Sequence, residues 1–129
     1  CPFNKNIPTN LHSEFEPILT FDMESILNFD NHKLPSNWAK TALSWRGSRI
    51  LKRNALIIIK NCNYKKYLNL VKKELKNPSP ILRAYAIWTL YNIDPNFNKK
   101  QLVNISNREQ DNIVLKEINR IIKDKYFNK

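Results

Sequence analysis

The chain has 129 residues, 42% of them hydrophobic and 26% charged, which is enough to fold as one domain around a modest core. Its 22 lysines and arginines outnumber its 11 acids and give a net charge of +11, which suits a polyanionic partner. The single glycine, Gly47, excludes the glycine-rich loops that cradle dinucleotides or nucleoside triphosphates, and it disfavours an all-β fold.

The first 20 residues, CPFNKNIPTNLHSEFEPILT, predict an extended connector. Three of the seven prolines fall there, and no hydrophobic period is sustained. Residues 21–47 follow as a region of short helices, with one predicted over Asp22–Asn28 and another over Asn37–Leu43.

Residues 48–129 show a sustained helical period. The first helix is predicted to bury a face formed by Leu51, Ala55, Ile58, Ile59 and Cys62. Leu56 interrupts the polar stripe expected on the opposite side. Further helices are predicted around residues 64–75, 82–93, 99–105 and 114–122, and prolines separate several of them.

An internal repeat runs through these helices. LKRNALIIIKN (51–61) aligns without gaps on LRAYAIWTLYN (82–92), and a looser third copy begins about 32 residues later. Such a period is typical of helix pairs that stack to bury their apolar faces. The sequence therefore predicts an all-α fold, a short HEAT-like helix-pair solenoid preceded by the extended connector.

Stripes of basic side chains on three of the predicted helices, together with the net charge, predict a nucleic-acid contact. Arg49, Arg53 and Lys60 lie within about 40° of one another on a helical wheel. Two alternatives stay open: amphipathic helices keep charges outward whatever their function, and the abundant Lys, Asn and Ile can reflect a compositional bias. Among the aromatic residues, Trp45 is a candidate exposed contact and Trp88 is expected in the core.

The sequence shows no self-contained active site. His12 and His32 stand alone without the spacing of metal ligands, and each is expected at the surface. Cys62 falls on the predicted apolar face and is expected to be a small buried hydrophobe. No stretch approaches the ~20 apolar residues of a membrane span, and no leader is visible, which favours a cytoplasmic location.

Three segments in order resemble the C-terminal part of epoxyqueuosine reductase: CPFN at the start, SWRGSRILKRNALIIIKN at 44–61 and NPSPILRAYAIWTL at 77–90. The resemblance covers roughly residues 1–95. It implies an enzyme family that carries out the last step of queuosine synthesis in tRNA, with cobalamin and two 4Fe–4S clusters in the intact protein and no cofactor in this part. The HEAT-like helices of that family help to hold the anticodon stem-loop.

The resemblance also implies roles for single residues. Cys1 matches the last cysteine of an iron–sulfur ligand run, so residues 1–20 include the end of a ferredoxin-like module, and Cys1 is a cluster ligand only in the intact protein. No catalytic residue is expected, and the fragment is expected to be inactive alone and monomeric. The candidate RNA contacts are Arg46, Arg49, Lys52, Arg53, Lys60 and Arg83.

Two questions stay open at this point. Arg83 is either a structural ladder residue or an RNA contact, because Asn77 stands where HEAT-like repeats often place the aspartate that pairs with such an arginine. The whole chain has a rival interpretation as a protein-binding HEAT-like scaffold attached to another ferredoxin-type iron–sulfur protein, since a solenoid surface serves either purpose.

Overall fold

The structure, a computed structural model, describes residues 22–127, so the predicted connector and Cys1 lie outside the described residues. The described part contains helices and turns without strands, which confirms the all-α prediction. The helices are α1 (Met23–Leu27), α2 (Ser36–Ala39), α3 (Ser48–Asn61), α4 (Leu68–Glu74), α5 (Pro80–Ile93), α6 (Lys99–Ser106) and α7 (Asn112–Phe127).

Local sequence signals explain where several helices begin. Asp22 caps α1 by accepting hydrogen bonds from the backbone N–H groups of Glu24 and Ser25, and these bonds together with the Ser25 hydroxyl lower the pKa of Asp22. α5 begins with a proline, which has no N–H to leave unpaired in the first turn. Asn98 and Gln101 form a capping box at the start of α6.

The core is built around α5, which packs against α3, α4 and α7. Equivalent positions of the repeat share their burial: Leu51, Leu82 and Val114 are all buried. Ala55, Ala86 and Ile118 are buried in the same way. The Thr89 hydroxyl of α5 donates to the carbonyl of Leu56 in α3 at 3.2 Å, which ties two successive repeat helices together.

The predicted buried face of α3 is confirmed at Leu51, Ala55 and Ile59 and was wrong at Ile58 and Cys62. Leu56, which interrupted the expected polar stripe, is fully buried, whereas Ile58 is 41% exposed and Cys62 is exposed. α3 contacts both α1 and α5, so its buried arc runs through Leu51, Ala55, Leu56 and Ile59. Cys62 caps the C-terminal end of the helix and therefore lies beyond the packed turns.

Two predicted helices are shorter than expected. α2 ends at Ala39, and the Thr41 hydroxyl donates to the carbonyl of Trp38 at 2.8 Å as the chain turns away. The segment expected to be helical from residue 64 first forms a 3₁₀ turn over Lys65–Tyr67, after Asn63 with a positive φ of 52°. The Thr41 hydrogen bond ends one helix and the turn at Asn63 delays the other. The hydrophobic period alone does not indicate either boundary.

Candidate nucleic-acid interface

A short 3₁₀ turn, Ser44–Arg46, leads into α3 through Gly47. Gly47 has φ +76° and ψ 156°, a conformation that residues with a Cβ rarely adopt. An added Cβ meets no atom within 4 Å, so the requirement for glycine is conformational and not steric. This joint places the side chains of the turn directly before the first turn of α3.

Four cations of this segment, which we call the basic face, are Arg46, Arg49, Arg53 and Lys60. Arg46 and Arg49 are exposed. Arg49 and Arg53 lie about one helical turn apart, or roughly 6 Å along the axis. No ion pair joins any of the four to a carboxylate within the described part of the chain.

The other two members of the basic face are partly buried and make neutral contacts. Arg53 donates from Nη2 and Nε to the side-chain oxygen of Asn54, at 3.2 and 3.4 Å. The Lys60 ammonium lies 4.8 Å from the centroid of the Trp88 ring, a cation–π contact. Both cations therefore keep their charge uncompensated, which is the property that a phosphate contact requires.

Lys52 does not belong to the basic face, and its burial in an ion pair argues against its predicted role as an RNA contact. Its side chain is only 6% exposed, and its Nζ lies 3.1 Å from Oε1 of Glu74, whose side chain is 7% exposed. The second carboxylate oxygen of Glu74 accepts a hydrogen bond from the Asn77 amide at 2.6 Å. The position one residue before Arg53 turns the Lys52 side chain inward, toward α4, because successive helical residues are 100° apart.

Arg83 makes structural contacts, which favours the first of the two alternatives that the sequence left open. Its guanidinium binds Glu109 through two hydrogen bonds, Nε to Oε2 at 3.0 Å and Nη2 to Oε1 at 2.9 Å. Nη1 donates to the carbonyls of Asn77 and Pro78, at 2.9 and 3.2 Å. Arg83 lowers the pKa of Glu109 and is the largest cause of that shift. The arginine thus clamps the α4–α5 connection to the α6–α7 connection.

The two tryptophans behave differently from each other. Trp45 is 76% exposed, which confirms its predicted exposure, and the Arg46 guanidinium lies 4.5 Å from its ring centroid. Trp88 was expected in the core but is only partly buried. Its ring meets Tyr85 edge to face, with centroids 6.2 Å apart.

Trp88 lines a groove that sequence reasoning missed. The groove has a volume of about 640 Å³ and is lined by Ile57, Ile81, Ala84, Tyr85, Trp88, Ile113, Glu117 and Arg120. Ile81 and Ile113 are exposed large hydrophobic residues at equivalent positions of the repeat. In the sequence, an isoleucine recurs just before the buried leucine or valine of each unit. This pattern could have predicted an apolar surface outside the core.

Neither a membrane-spanning helix nor a cluster of metal ligands occurs in the described part of the chain. None of its helices combines the length and the apolarity that a membrane crossing needs. Among the described side chains, no group of three or more His, Cys, Asp or Glu residues is placed to hold a metal ion. Cys1, the one metal ligand that the resemblance implied, lies outside the described residues.

Comparison with known proteins identifies relatives over nearly the whole chain. The epoxyqueuosine reductase of Listeria monocytogenes is 28% identical over 125 residues, which are 94% of this chain and 33% of that protein. The epoxyqueuosine reductase of Bacillus subtilis is 27% identical over 93% of this chain and 32% of its own length. An uncharacterised protein encoded in the gldA 3′ region of Geobacillus stearothermophilus is 30% identical over 92% of this chain and 56% of its length.

No family-level sequence model matches the chain, and no solved structure matches it significantly. The described residues define an all-helical domain with the basic face along α3 and the turn before it. By sequence, the chain is homologous to a segment of epoxyqueuosine reductases, which confirms the resemblance, and it spans about one third of the length of those relatives.

Proposed function

We propose that this chain is the C-terminal, HEAT-like part of an epoxyqueuosine reductase and that it binds the anticodon stem-loop of tRNA. The observation that supports the proposal is the contrast among the candidate cations. Lys52 and Arg83 are held by carboxylates, whereas the four cations of the basic face have no carboxylate partner in the described part of the chain. Uncompensated arginines grouped before and along a helix suit the phosphates of a nucleic acid.

The location at the start of α3 adds to the attraction for phosphate. α3 has 14 residues, and no side chain caps its first N–H groups. The partial positive charge of a helix N-terminus therefore adds to the charges of Arg46 and Arg49. Sequence-specific recognition is not required of these groups, because contacts to phosphates position an RNA and carry little base information.

The experiment is a binding titration of the chain with an anticodon stem-loop across a salt series. Each phosphate contact contributes about 0.7 to 0.9 to the slope of log affinity against log salt. We expect the double variant R46A/R49A to bind more weakly and to show a slope reduced by roughly 1.4 to 1.8. A duplex of equal charge serves as the control ligand, and the proposal requires tighter binding to the stem-loop.

The matched control variant is K100A/R108A, which removes the same two positive charges. Both residues are exposed, Lys100 in α6 and Arg108 just after it, away from the basic face in the sequence. We expect this variant to keep the salt slope of the wild type. Equal losses in the two double variants contradict a specific role of the basic face and reduce its effect to net charge.

The remaining elements of the proposal concern the whole protein. The resemblance assigns the 4Fe–4S clusters and cobalamin to the intact enzyme, with Cys1 as a cluster ligand there, and the chain itself acts as a monomer in the cytoplasm. We expect the chain alone to leave epoxyqueuosine in tRNA unreduced when it is supplied with reductant. Conversion of the modified base by the chain alone would contradict this assignment.

A second candidate function, protein docking, is favoured by the groove beside Trp88. Its apolar lining includes the exposed Ile81 and Ile113, and the Lys60 ammonium lies against the lining residue Trp88, whereas the lining residue Arg120 is paired with Glu117 at 2.7 Å. An apolar segment flanked by acidic residues suits this combination. This function predicts weak, salt-insensitive binding to RNA and loss of a protein partner in the variant I81S/I113S.

A further inference from the structure

Trp45 is an exposed large aromatic residue on an ordered turn. Its indole is 76% exposed, whereas Trp38 in the neighbouring α2 is buried against Phe29. Indole carries a large apolar surface, and aromatic residues contribute strongly to binding when a partner covers them. A solvent-facing indole in contact with the exposed Arg46, just before the exposed Arg49 in the sequence, therefore points to a ligand that is both aromatic and anionic.

The turn that carries Trp45 is fixed before any ligand arrives. The N–H of Arg46 donates to the carbonyl of Leu43 at 3.1 Å, and the N–H of Gly47 donates to the carbonyl of Ser44 at 3.2 Å. Gly47 then takes the positive φ that joins the turn to α3. The Arg46 guanidinium, 4.5 Å from the ring centroid, occupies one face of the indole. The ring is thus preorganised as a platform with a cation behind it.

We infer that Trp45 stacks on an unpaired base of the RNA that the basic face holds. This inference rests on the proposed function and names the part of the RNA that the site takes. Unpaired bases of RNA loops are commonly bound by stacking on aromatic rings, while a paired stem offers its bases in no such way. The exposed Arg49, in the first turn of α3, is placed to contact the phosphate backbone that accompanies the base.

The chemistry of the turn favours RNA over an apolar protein surface. Arg46 contacts the indole, Arg49 follows in the first turn of α3, and neither has a carboxylate partner among the described residues, so an apolar partner gains the indole contact only by desolvating charge. A nucleotide gains from both parts of the site, since its base stacks and its phosphate pairs with a guanidinium.

The test combines affinity with tryptophan fluorescence. The chain has three tryptophans, and Trp45 is the most exposed of them. We expect the anticodon stem-loop to quench the emission of the wild type, and the variant W45F to lose most of the quenching while it keeps most of the affinity. We expect W45A to bind the stem-loop roughly 5- to 150-fold more weakly, the range that loss of one stacked base gives.

A hairpin of the same stem closed by a non-nucleotide linker provides the control RNA, because it keeps the phosphates of the stem and lacks loop bases. Wild type and W45A should bind this hairpin equally. Thermal unfolding of W45A should match the wild type, because the exposed indole contributes little to the core.

The outcomes separate the inference from the function on which it rests. If W45A binds the stem-loop as tightly as the wild type, with the same salt slope, the stacking inference is wrong and the proposed RNA-binding role stands. If the wild type does not prefer the stem-loop to the equally charged duplex, both are wrong. If W45A loses affinity equally for the stem-loop and the linker hairpin, Trp45 contacts the stem, and the inference is again wrong.

Discussion

The replacement of Lys52 by methionine separates the structural role of this residue from the RNA contact that the sequence suggested. Methionine keeps the length of the lysine stem and removes the ammonium. The Glu74 carboxylate then stays buried with the Asn77 amide as its remaining hydrogen-bond donor. Removal of one partner from a buried ion pair costs about 3 to 5 kcal/mol, because the other charge stays desolvated and unpaired.

That cost is a large part of the stability of a small domain, which is typically about 5 to 15 kcal/mol. One kcal/mol shifts the melting temperature of a domain of about 100 residues by roughly 4 to 8 °C, so K52M should melt on the order of 12 to 40 °C lower. The double variant K52M/E74Q leaves no buried charge and retains an acceptor for Asn77. We expect it to recover a substantial part of the loss.

The assay is thermal and urea unfolding followed by circular dichroism, with K76M as the matched control because Lys76 is exposed. Exposed substitutions of this kind usually change stability by less than about 0.5 kcal/mol. At a temperature where K52M is folded, its affinity for the stem-loop should equal that of K76M. A K52M variant that melts like K76M but binds RNA more weakly would refute the reasoning and restore Lys52 as a phosphate contact.

Three further predictions concern the Arg83 clamp and the turn before α3. R83A should lower the free energy of unfolding by about 1.5 to 3 kcal/mol, because the charge-assisted hydrogen bonds to Glu109 are lost. The affinity of the folded variant for the stem-loop should not change. A loss of affinity without a loss of stability contradicts this prediction. Arg83 lowers the pKa of Glu109 in the folded state, so the stabilisation is complete above the unfolded pKa near 4.3 and is lost as pH falls through the folded pKa. Below about pH 5, the free energy of urea unfolding should therefore depend less on pH for E109Q than for the wild type. Equal pH dependence in the two proteins excludes the Arg83–Glu109 pair as its cause. G47A should lower the free energy of unfolding by about 1 to 3 kcal/mol through backbone strain alone, since no atom obstructs the added methyl group. An unchanged melting temperature would mean that the turn adopts another conformation.

The sequence predicted the helical class and most of the core, because the hydrophobic period and the repeat are local properties. It misjudged two positions of the buried face of α3, Ile58 and Cys62, because half of the 14 residues of that helix are apolar and they are not confined to one face. Ile58 and Leu56 differ little in hydrophobicity, and only the contacts with α1 and α5 decide which of them is buried. Hydrophobic periodicity predicts that a helix has a buried face more reliably than it predicts which residues form that face.

For the candidate site as well, the sequence predicted the local geometry but not the long-range contacts. The spacing of Arg49, Arg53 and Lys60 was enough to place them together, since it depends on helix geometry alone. The burial of Lys52 was not accessible in this way, because its partner Glu74 lies 22 residues further along the chain. The Glu109 partner of Arg83 is 26 residues distant, so local spacing gives no sign of either pair.

The repeat itself distinguishes the two kinds of cation. Lys52 and Arg83 occupy equivalent positions of the aligned units, 31 residues apart, and both are held by carboxylates from the segments that follow. Asn77 joins the two pairs, since its amide donates to Glu74 and its carbonyl accepts from Arg83. A positive charge that recurs with the period therefore serves the stacking of the units.

The three basic-face cations of α3 do not recur in this way. The positions equivalent to Arg49, Arg53 and Lys60 are Pro80, Ala84 and Tyr91. The stacking of one unit on the next therefore does not require those three charges, and no described carboxylate compensates them. Charges that neither stack the repeats nor pair with a carboxylate are available to a ligand. We therefore expect RNA to bind at the basic face and not at Lys52 or Arg83.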